Sequence, residues 1–340
     1  MPTPDGSKLW SLQALRFVAA LLVVHIHAVI FARDLTGSPG VIGSLANIGR
    51  CGVDIFFVIS GVIIARTAPG VPPGVFARKR FRRVVPFYLL FSIPAVIREA
   101  LDGFGWRDLL ATMLWPATDV MTVPPLEIAW TLSFEMLFYA AATLVLVGRH
   151  WAYVLVGLWI GAMWLDGPVF QFVGNPIIAE FLFGVGLAYA PRWRHGAWLI
   201  LPGLVAFVAT AGAMPEGNTL RFLSGVDWER PFILGVPAAM VVYGAMQIEI
   251  KPGVLTTLGD ASYSLYLSHG MVLLLTYLVA KALPVTADVF ILVAMTMAVL
   301  FSWRIHERFE KPLLRSSFLR PRVVARGRRP EAVPVEAVQE

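Results

Sequence analysis

Residues 9–31 read LWSLQALRFVAALLVVHIHAVIF, an apolar segment that nevertheless carries Arg16, His25 and His27. A helix needs about 20 mainly apolar residues to cross the hydrocarbon core of a bilayer. An arginine at the centre of such a helix costs roughly 2.5–3.5 kcal/mol on insertion scales. The segment is too long for the apolar region of a signal peptide, and no convincing cleavage site follows it. We therefore interpret it as a retained first transmembrane helix.

The composition of the whole chain agrees with this interpretation. Of 340 residues, 57% are hydrophobic and only 15% are charged, whereas soluble domains average about 25% charged residues. The mean hydropathy is +0.71. The net charge is +6, but the basic residues bunch between apolar segments as topology signals do, which argues against nucleic-acid binding. The single cysteine, Cys51, excludes an intrachain disulfide and a multi-cysteine metal site.

The apolar segments predict an all-α integral membrane protein, a polytopic bundle of about ten transmembrane helices. The predicted spans are residues 9–31, 41–65, 84–101, 126–148, 151–166, 174–190, 196–213, 231–249, 262–283 and 286–306. The basic loops and the arginine-rich end of the chain fall on one side if the number of spans is even, so both termini are predicted to be cytoplasmic.

Three predicted regions complete this organisation. Residues 1–8 form a cytoplasmic N-terminus, residues 9–314 the membrane domain, and residues 315–340 a basic, disordered cytoplasmic tail. Within the membrane domain, charge and proline interrupt the apolar stretch 105–125, which we interpret as a partly re-entrant or interfacial loop.

The three ionisable side chains of the first span are not equivalent. Arg16 and His27 are eleven residues apart, and at about 100° per residue they lie within roughly 20° of each other. His27 is about 16 Å farther along the axis, and His25 points to the opposite face. Ionisable groups that share a stripe inside a membrane typically line a cavity, whereas a lone histidine more often bonds a neighbouring helix.

Polar side chains also interrupt the other spans. Glu135 lies within an apolar run, where a carboxyl group must pair or act as an acid or base. For Asp54, the alternative to a functional role is a structural ion pair with Arg50 or Arg16. For His269, the alternative is a buried hydrogen bond. The candidates for a channel or acceptor site are Asp54, Ser60, Trp130, Tyr266 and His269.

The segment FARKRFRRVVPFY, residues 76–88, is the densest basic cluster of the chain. The positive-inside rule alone accounts for its charge. Arg80 and Arg83, however, are three residues apart at a helix start that we predict near Pro86, and such a pair can present one anion-binding surface. Arginine forks match the geometry of phosphate oxygens.

Common motifs of other enzyme classes are absent from the sequence: there is no H-E-x-x-H, P-loop, G-x-S-x-G or G-x-G-x-x-G. We therefore predict no metal site and no permanently bound cofactor. The remaining groups are a histidine able to act as a base, carboxylates able to orient it, and cytoplasmic arginines able to bind phosphates.

These motifs together resemble acyltransferase family 3, integral-membrane proteins that O-acylate bacterial surface polysaccharides and related acceptors. The matching segments are LQALRFVAALLVVHIHA, GVDIFFVISGVII, RKRFRRVVPFYLL, WTLSFEMLFY, FLFGVGLA, LGDASYSLYLSHG and ERFEKPL, in family order from residue 9 to about 314. The family's R-x10-H signature falls on Arg16 and His27, and its R-x-x-R on Arg80 and Arg83. Its SGF motif appears here as Ser60-Gly61-Val62, with valine in place of the aromatic residue.

The resemblance implies a stand-alone acyltransferase, without the periplasmic hydrolase-like domain of many members. It implies acyl-CoA, most often acetyl-CoA, as co-substrate, and a hydroxyl of a glycan or polysaccharide as acceptor, at the bacterial inner membrane and in contact with its lipid. We predict that His27 is the general base, that Arg16 and Glu135 assist catalysis, and that Arg80 and Arg83 bind acyl-CoA.

Two other functions fit ten spans with scattered ionisable groups. The main alternative is a proton-coupled transporter or exporter of a small metabolite or glycan unit, which would show inverted repeats that we do not find. The other is a non-catalytic membrane scaffold, which would not need Arg16 and His27 on one stripe. The acceptor, the acyl chain length and the oligomeric state are not determined by the sequence.

Overall fold

The computed structural model describes residues 9–101, 103, 126–211 and 228–315, and every regular element in these ranges is helical. The helices are α1 (Trp10–Thr36), α2 (Cys51–Thr67), α3 (Pro73–Leu101), α4 (Trp130–Val147), α5 (Trp151–Ala162), α6 (Pro168–Val173), α7 (Ile178–Tyr189), α8 (Ile200–Ala211), α9 (Val236–Met246), α10 (Val254–Asp260), α11 (Ser262–Ala280), α12 (Ala287–Ile305) and α13 (Lys311–Arg315). Tighter or wider helical turns precede α2 (Ile42–Arg50), α4 (Glu127–Ala129), α8 (Gly196–Leu199) and α9 (Pro231–Gly235), and follow α12 (His306–Glu310). The predicted loop 105–125, the N-terminus 1–8 and the tail from residue 316 lie outside the described residues.

A helix lies at each of the ten predicted spans. Six helical segments in the described ranges are long and apolar enough to cross a membrane: Trp10–Thr36, Ile42–Thr67, Trp130–Val147, Val169–Tyr189, Ser262–Ala280 and Ala287–Leu313. Three shorter apolar helices, Trp151–Ala162, Gly196–Ala211 and Pro231–Met246, occupy further predicted spans. The all-helical class is thus confirmed, whereas ten crossings and cytoplasmic termini stay predictions.

The start of α3 differs from the sequence prediction. The helix begins at Pro73, so Arg80 and Arg83 lie well inside it rather than at its first turn, and Pro86 and Pro94 are interior residues. Proline suits the first position of a helix because no N–H is needed there. Interior prolines are tolerated in membrane helices because neighbouring groups satisfy the freed carbonyls.

Helix α1 is the centre of the bundle. It packs against α2, α10, α11 and α12, and its small and branched side chains, among them Ala20, Val24 and Ala28, are completely or almost completely buried. Large apolar side chains on the outer faces of helices, such as Leu201 and Leu275, remain exposed. An apolar exterior of this kind suits contact with lipid.

Helices α2 and α7 approach each other most closely at two glycines. A Cβ atom added to Gly61 would lie 2.1 Å from the carbonyl oxygen of Phe181, and one added to Gly184 would lie 2.0 Å from that of Val58. Small residues at helix crossings in membranes allow such backbone contact. Gly61, part of the Ser60-Gly61-Val62 motif, therefore has a packing role.

We expect Gly184→Ala to destabilise the protein by about 1–3 kcal/mol, because the added methyl group forces the two backbones apart. Gly186 in the same helix is the matched control, since a Cβ there meets no atom within 4 Å. Gly186→Ala is expected to stabilise by up to about 1 kcal/mol through helix propensity. Thermal unfolding in detergent measures both, and equal shifts would contradict the close contact.

Candidate active site

One cavity opens among α1, α2, α3, α4 and α11. It encloses about 770 Å³, including the part open to solvent. Most of its wall is apolar, with Phe56, Ile59 and Ile63 of α2 among the lining residues. Six of the ten residues predicted for the site line it: Arg16, Ser60, Arg80, Arg83, Glu135 and Tyr266.

The charges of this cavity are mostly positive. Three guanidinium groups, those of Arg16, Arg80 and Arg83, face a single carboxylate, Glu135, among the described lining residues. Cations inside low-dielectric walls attract anions more strongly than cations on a flat surface. The cavity is therefore suited to a ligand with several phosphate groups.

Aromatic rings and hydroxyls hold the Arg80 side chain in place. Its guanidinium lies 5.1 Å from the ring centroid of Phe76 and 5.2 Å from that of Tyr139. It also donates a hydrogen bond to Thr67 Oγ1 at 3.4 Å, and the Tyr139 hydroxyl donates one to Glu135. Sequence reasoning missed Tyr139, although its position four residues after Glu135 places both on one helical face.

A chain of hydrogen bonds from α10 orients Arg16. Asp260 Oδ1 accepts a bond of 2.6 Å from Gln13 Nε2, and Gln13 Oε1 accepts one of 3.3 Å from Arg16 Nη1. These hydrogen bonds depend on close contact between α1 and α10, because a Cβ added to Gly259 would lie 1.9 Å from the Gln13 carbonyl oxygen. The sequence did not mark Gln13 or Asp260 as site residues.

His27 and His269 do not line the cavity but adjoin each other beyond its Tyr266 wall. The rings of Tyr266 and His269 are 6.0 Å apart between centroids, and those of His269 and His27 are 5.0 Å apart, edge to face. The Tyr266 hydroxyl itself is held by Thr131 Oγ1 at 2.6 Å and by the Ile128 carbonyl oxygen at 2.7 Å. Tyr266 and His269 therefore lie between the cavity and His27.

His25 has a different neighbour from His27. Its Nε2 lies 3.2 Å from the carbonyl oxygen of Ile42, in the turn before α2. His27 instead faces α11 through His269. The two histidines of α1 thus belong to different surroundings.

Asp54 is placed away from the cavity, in a buried ion pair. Its two carboxylate oxygens accept hydrogen bonds from Arg230 Nε and Nη2 at 2.9 and 3.0 Å. The partner is Arg230, not Arg50 or Arg16, and its guanidinium lies 5.7 Å from the ring centroid of Trp130. Neither Asp54 nor Trp130 lines the cavity in this structure, and no local pattern in the sequence marked Arg230.

Comparison with known proteins gives a consistent result. The model of the acyltransferase domain family (Acyl_transf_3) matches residues 9–306. The exopolysaccharide production protein ExoZ of Rhizobium meliloti (strain 1021) is 30% identical over 298 residues, covering 79% of this chain and 90% of that protein. The acyltransferase MdmB of Streptomyces mycarofaciens is 25% identical over 323 residues, covering 79% of this chain and 80% of that protein.

No solved structure gives a significant match. The family model nevertheless covers α1 to the end of α12, including every helix that contributes to the cavity and to the histidine pair. This chain belongs to acyltransferase family 3 and is a multi-pass membrane acyltransferase.

Proposed function

We propose that this protein transfers an acyl group, most simply acetyl, from acyl-CoA to a hydroxyl of a bacterial surface polysaccharide or other glycan. The observation that carries the proposal is the cavity with three arginines, whose Tyr266 wall leads by ring contacts to His269 and His27. Arginine forks bind phosphates, and a histidine can act as a general base. The family name supports the reaction, and the name of ExoZ supports the class of acceptor.

The reaction requires removal of a proton from a weakly acidic hydroxyl. His27 Nε2 takes the hydroxyl proton as the oxygen attacks the thioester carbonyl, the ester bond forms, the carbon–sulfur bond breaks, and the proton passes to the CoA thiolate. General-base catalysis of this kind contributes typically about 10²–10⁴-fold. The proposal requires the thioester to reach His27 from the cavity. The flexible pantetheine arm of CoA would extend the thioester in that direction.

Arg16 belongs in this proposal to donor binding. It lines the cavity together with Arg80 and Arg83, and it is separated from His27 by about 16 Å along α1. Because Arg16 lines the cavity and His27 does not, we assign Arg16 to the donor rather than to the carbonyl beside His27. Glu135, which accepts a hydrogen bond from Tyr139, offsets part of the positive charge of the cavity.

The test is transfer of radiolabel by the purified full-length protein in vesicles of bacterial phospholipid. Acetyl-CoA labelled in the acetyl group is added with bacterial polysaccharide, and label in the polysaccharide is measured before and after mild alkali. Alkali-labile label that depends on the protein is expected. Movement of acetyl-CoA or of polysaccharide across the vesicle without ester formation would favour a transporter and contradict the proposal.

Arg83→Ala is expected to raise KM for acetyl-CoA by about 10- to 100-fold, because hydrogen bonds to charged groups contribute roughly 1.5–3 kcal/mol. Lys79→Ala is the matched control, since it removes the same charge from an exposed position of α3 that is not among the cavity residues. With acetyl-pantetheine, which lacks the nucleotide phosphates, Arg83→Ala and wild type are expected to have the same KM. An equal rise for both variants would remove Arg83 from the donor site.

A further inference from the structure

The start of α11 contributes three residues to the cavity wall: Ser262, Tyr263 and Tyr266. At about 100° per residue, these positions share one side of the helix. Both tyrosine hydroxyls have partners, since Tyr263 donates to the Val84 carbonyl oxygen at 2.8 Å and Tyr266 to that of Ile128 at 2.7 Å. The Ser262 hydroxyl differs, because it is completely buried and has no hydrogen-bond partner among the described residues.

A buried serine in a helix has a local solution that Ser262 does not use. Ser92 Oγ donates to the carbonyl oxygen four residues earlier, and Ser302 Oγ to the one three residues earlier. A buried hydroxyl without a partner is rare in native proteins and calls for an explanation. Ser133 and Ser268 also lack a partner in the part of the chain that the structure describes, but of these three serines only Ser262 lines the cavity.

Hydrogen bonds hold Ser262 between the helices that carry Arg16 and Arg83. Two residues before it, Asp260 is tied through Gln13 to Arg16. One residue after it, a tyrosine hydroxyl bonds the backbone of α3 directly beside Arg83. The charges of Arg16 and Arg83 repel each other, so both favour an anion placed among them.

A ligand at this part of the cavity must accept hydrogen bonds. Guanidinium groups only donate, and a serine hydroxyl carries one donor hydrogen. A phosphate group offers several charged oxygens, so it can accept from two arginines and a hydroxyl at once. The nearby Ser264 shows the same preference, because it donates to the buried carboxylate of Glu310 on the other side of α11.

We propose that Ser262 is a donor-binding residue, whose hydroxyl donates a hydrogen bond to a phosphate oxygen of acyl-CoA that Arg16 and Arg83 also contact. This inference rests on the proposed function, which supplies acyl-CoA as the ligand. Ser262 is covered in this structure, so contact with the ligand requires a shift of the surrounding side chains. The long arginine side chains that line the cavity have several rotatable bonds and can make such a shift.

The experiment measures binding of CoA to the purified full-length protein in detergent, from the rise in unfolding temperature with CoA concentration. Ser262→Ala is expected to weaken CoA binding by about 10-fold, the effect of one hydrogen bond to a charged group. Without CoA, its unfolding temperature is expected to be no lower than that of the wild type, because the removed hydroxyl has no partner among the described residues.

Ser268→Ala is the matched control. Ser268 is also completely buried in α11 and also lacks a partner among the described residues, but it does not line the cavity. This variant is expected to bind CoA as the wild type does. In the radiolabel assay, Ser262→Ala is expected to raise KM for acetyl-CoA by about 10-fold with kcat unchanged, and to leave KM for acetyl-pantetheine, which has no phosphate, at the wild-type value.

Dephospho-CoA, which lacks the 3′-phosphate, identifies the phosphate concerned. If the loss in Ser262→Ala disappears with this ligand, Ser262 binds the 3′-phosphate, and if the loss persists, Ser262 binds the diphosphate. Either result supports the proposal.

Three other results would contradict it at different levels. Wild-type affinity for CoA in Ser262→Ala, or an equal loss in Ser268→Ala, would refute the role of Ser262 and leave the arginine-lined donor site standing. An equal rise of KM for acetyl-pantetheine in Ser262→Ala would show that the contact is not with a phosphate. Failure of the wild type to bind CoA would refute the proposed function itself.

Discussion

His27→Ala is expected to lower the rate of acyl transfer by at least about 100-fold, the loss that follows removal of a general base. The KM for acetyl-CoA is expected to stay close to the wild-type value, because the arginines proposed to bind the donor line the cavity and His27 does not. The side chain is only half-buried, so the thermal stability should change little. Initial rates of ester formation, normalised to folded protein in the vesicles, measure the effect.

His25→Ala is the matched control for this variant. His25 is two residues away on the same helix, but its contact is with the Ile42 carbonyl oxygen rather than with His269. Loss of that hydrogen bond is expected to cost about 1 kcal/mol of stability and to leave the rate per folded molecule unchanged. Equal losses of activity in His25→Ala and His27→Ala would mean that the base lies elsewhere.

Arg230→Ala is expected to destabilise the protein by about 3–5 kcal/mol, the usual cost of breaking a buried ion pair from one side. The variant leaves the Asp54 carboxylate, which is 0% exposed, without its two charged hydrogen bonds. Glu180 adds to the penalty, because this second completely buried carboxyl group interacts with both Asp54 and Arg230. Thermal unfolding and the yield from membranes measure the loss.

Two further variants test whether burial of the ion pair causes the loss of stability in Arg230→Ala. Arg192→Ala breaks an exposed ion pair with Glu249, whose side chains are 69% and 86% exposed, and should change stability by no more than about 1 kcal/mol. The double variant Asp54→Leu/Arg230→Met removes both charges and should recover most of the loss, because an apolar pair of similar size replaces a buried ion pair well. A double variant as unstable as Arg230→Ala would contradict this explanation.

Sequence reasoning located the helices because lipid exposure imposes long apolar segments. Helical spacing also separated His27 from His25, since both lie on one helix whose periodicity is fixed. The same argument could relate Arg16 to His27 in direction and distance. What lies inside one helix was therefore predictable from its own residues.

Contacts between distant helices were not predictable in this way. Arg230 pairs with Asp54 across 176 residues of chain. Asp260 bonds Gln13 across 247 residues, and Gln13 in turn orients Arg16. Such partners depend on how helices pack, which a single sequence does not encode locally. The start of α3 was misplaced for a related reason: Pro86 looked like a helix boundary, whereas packing in the bundle tolerates it inside the helix.

The central claim is that the arginine-lined cavity delivers the acyl end of acyl-CoA to His27 and His269. It is tested most directly by photo-crosslinking, with a CoA thioester whose acyl group carries a photoreactive diazirine and with peptide mapping of the labelled protein. The account predicts labels on α1 near His27 and on α11 near His269, both suppressed by excess acetyl-CoA and by Arg83→Ala. Labels confined to outer helices such as α8, or insensitive to acetyl-CoA, would contradict it.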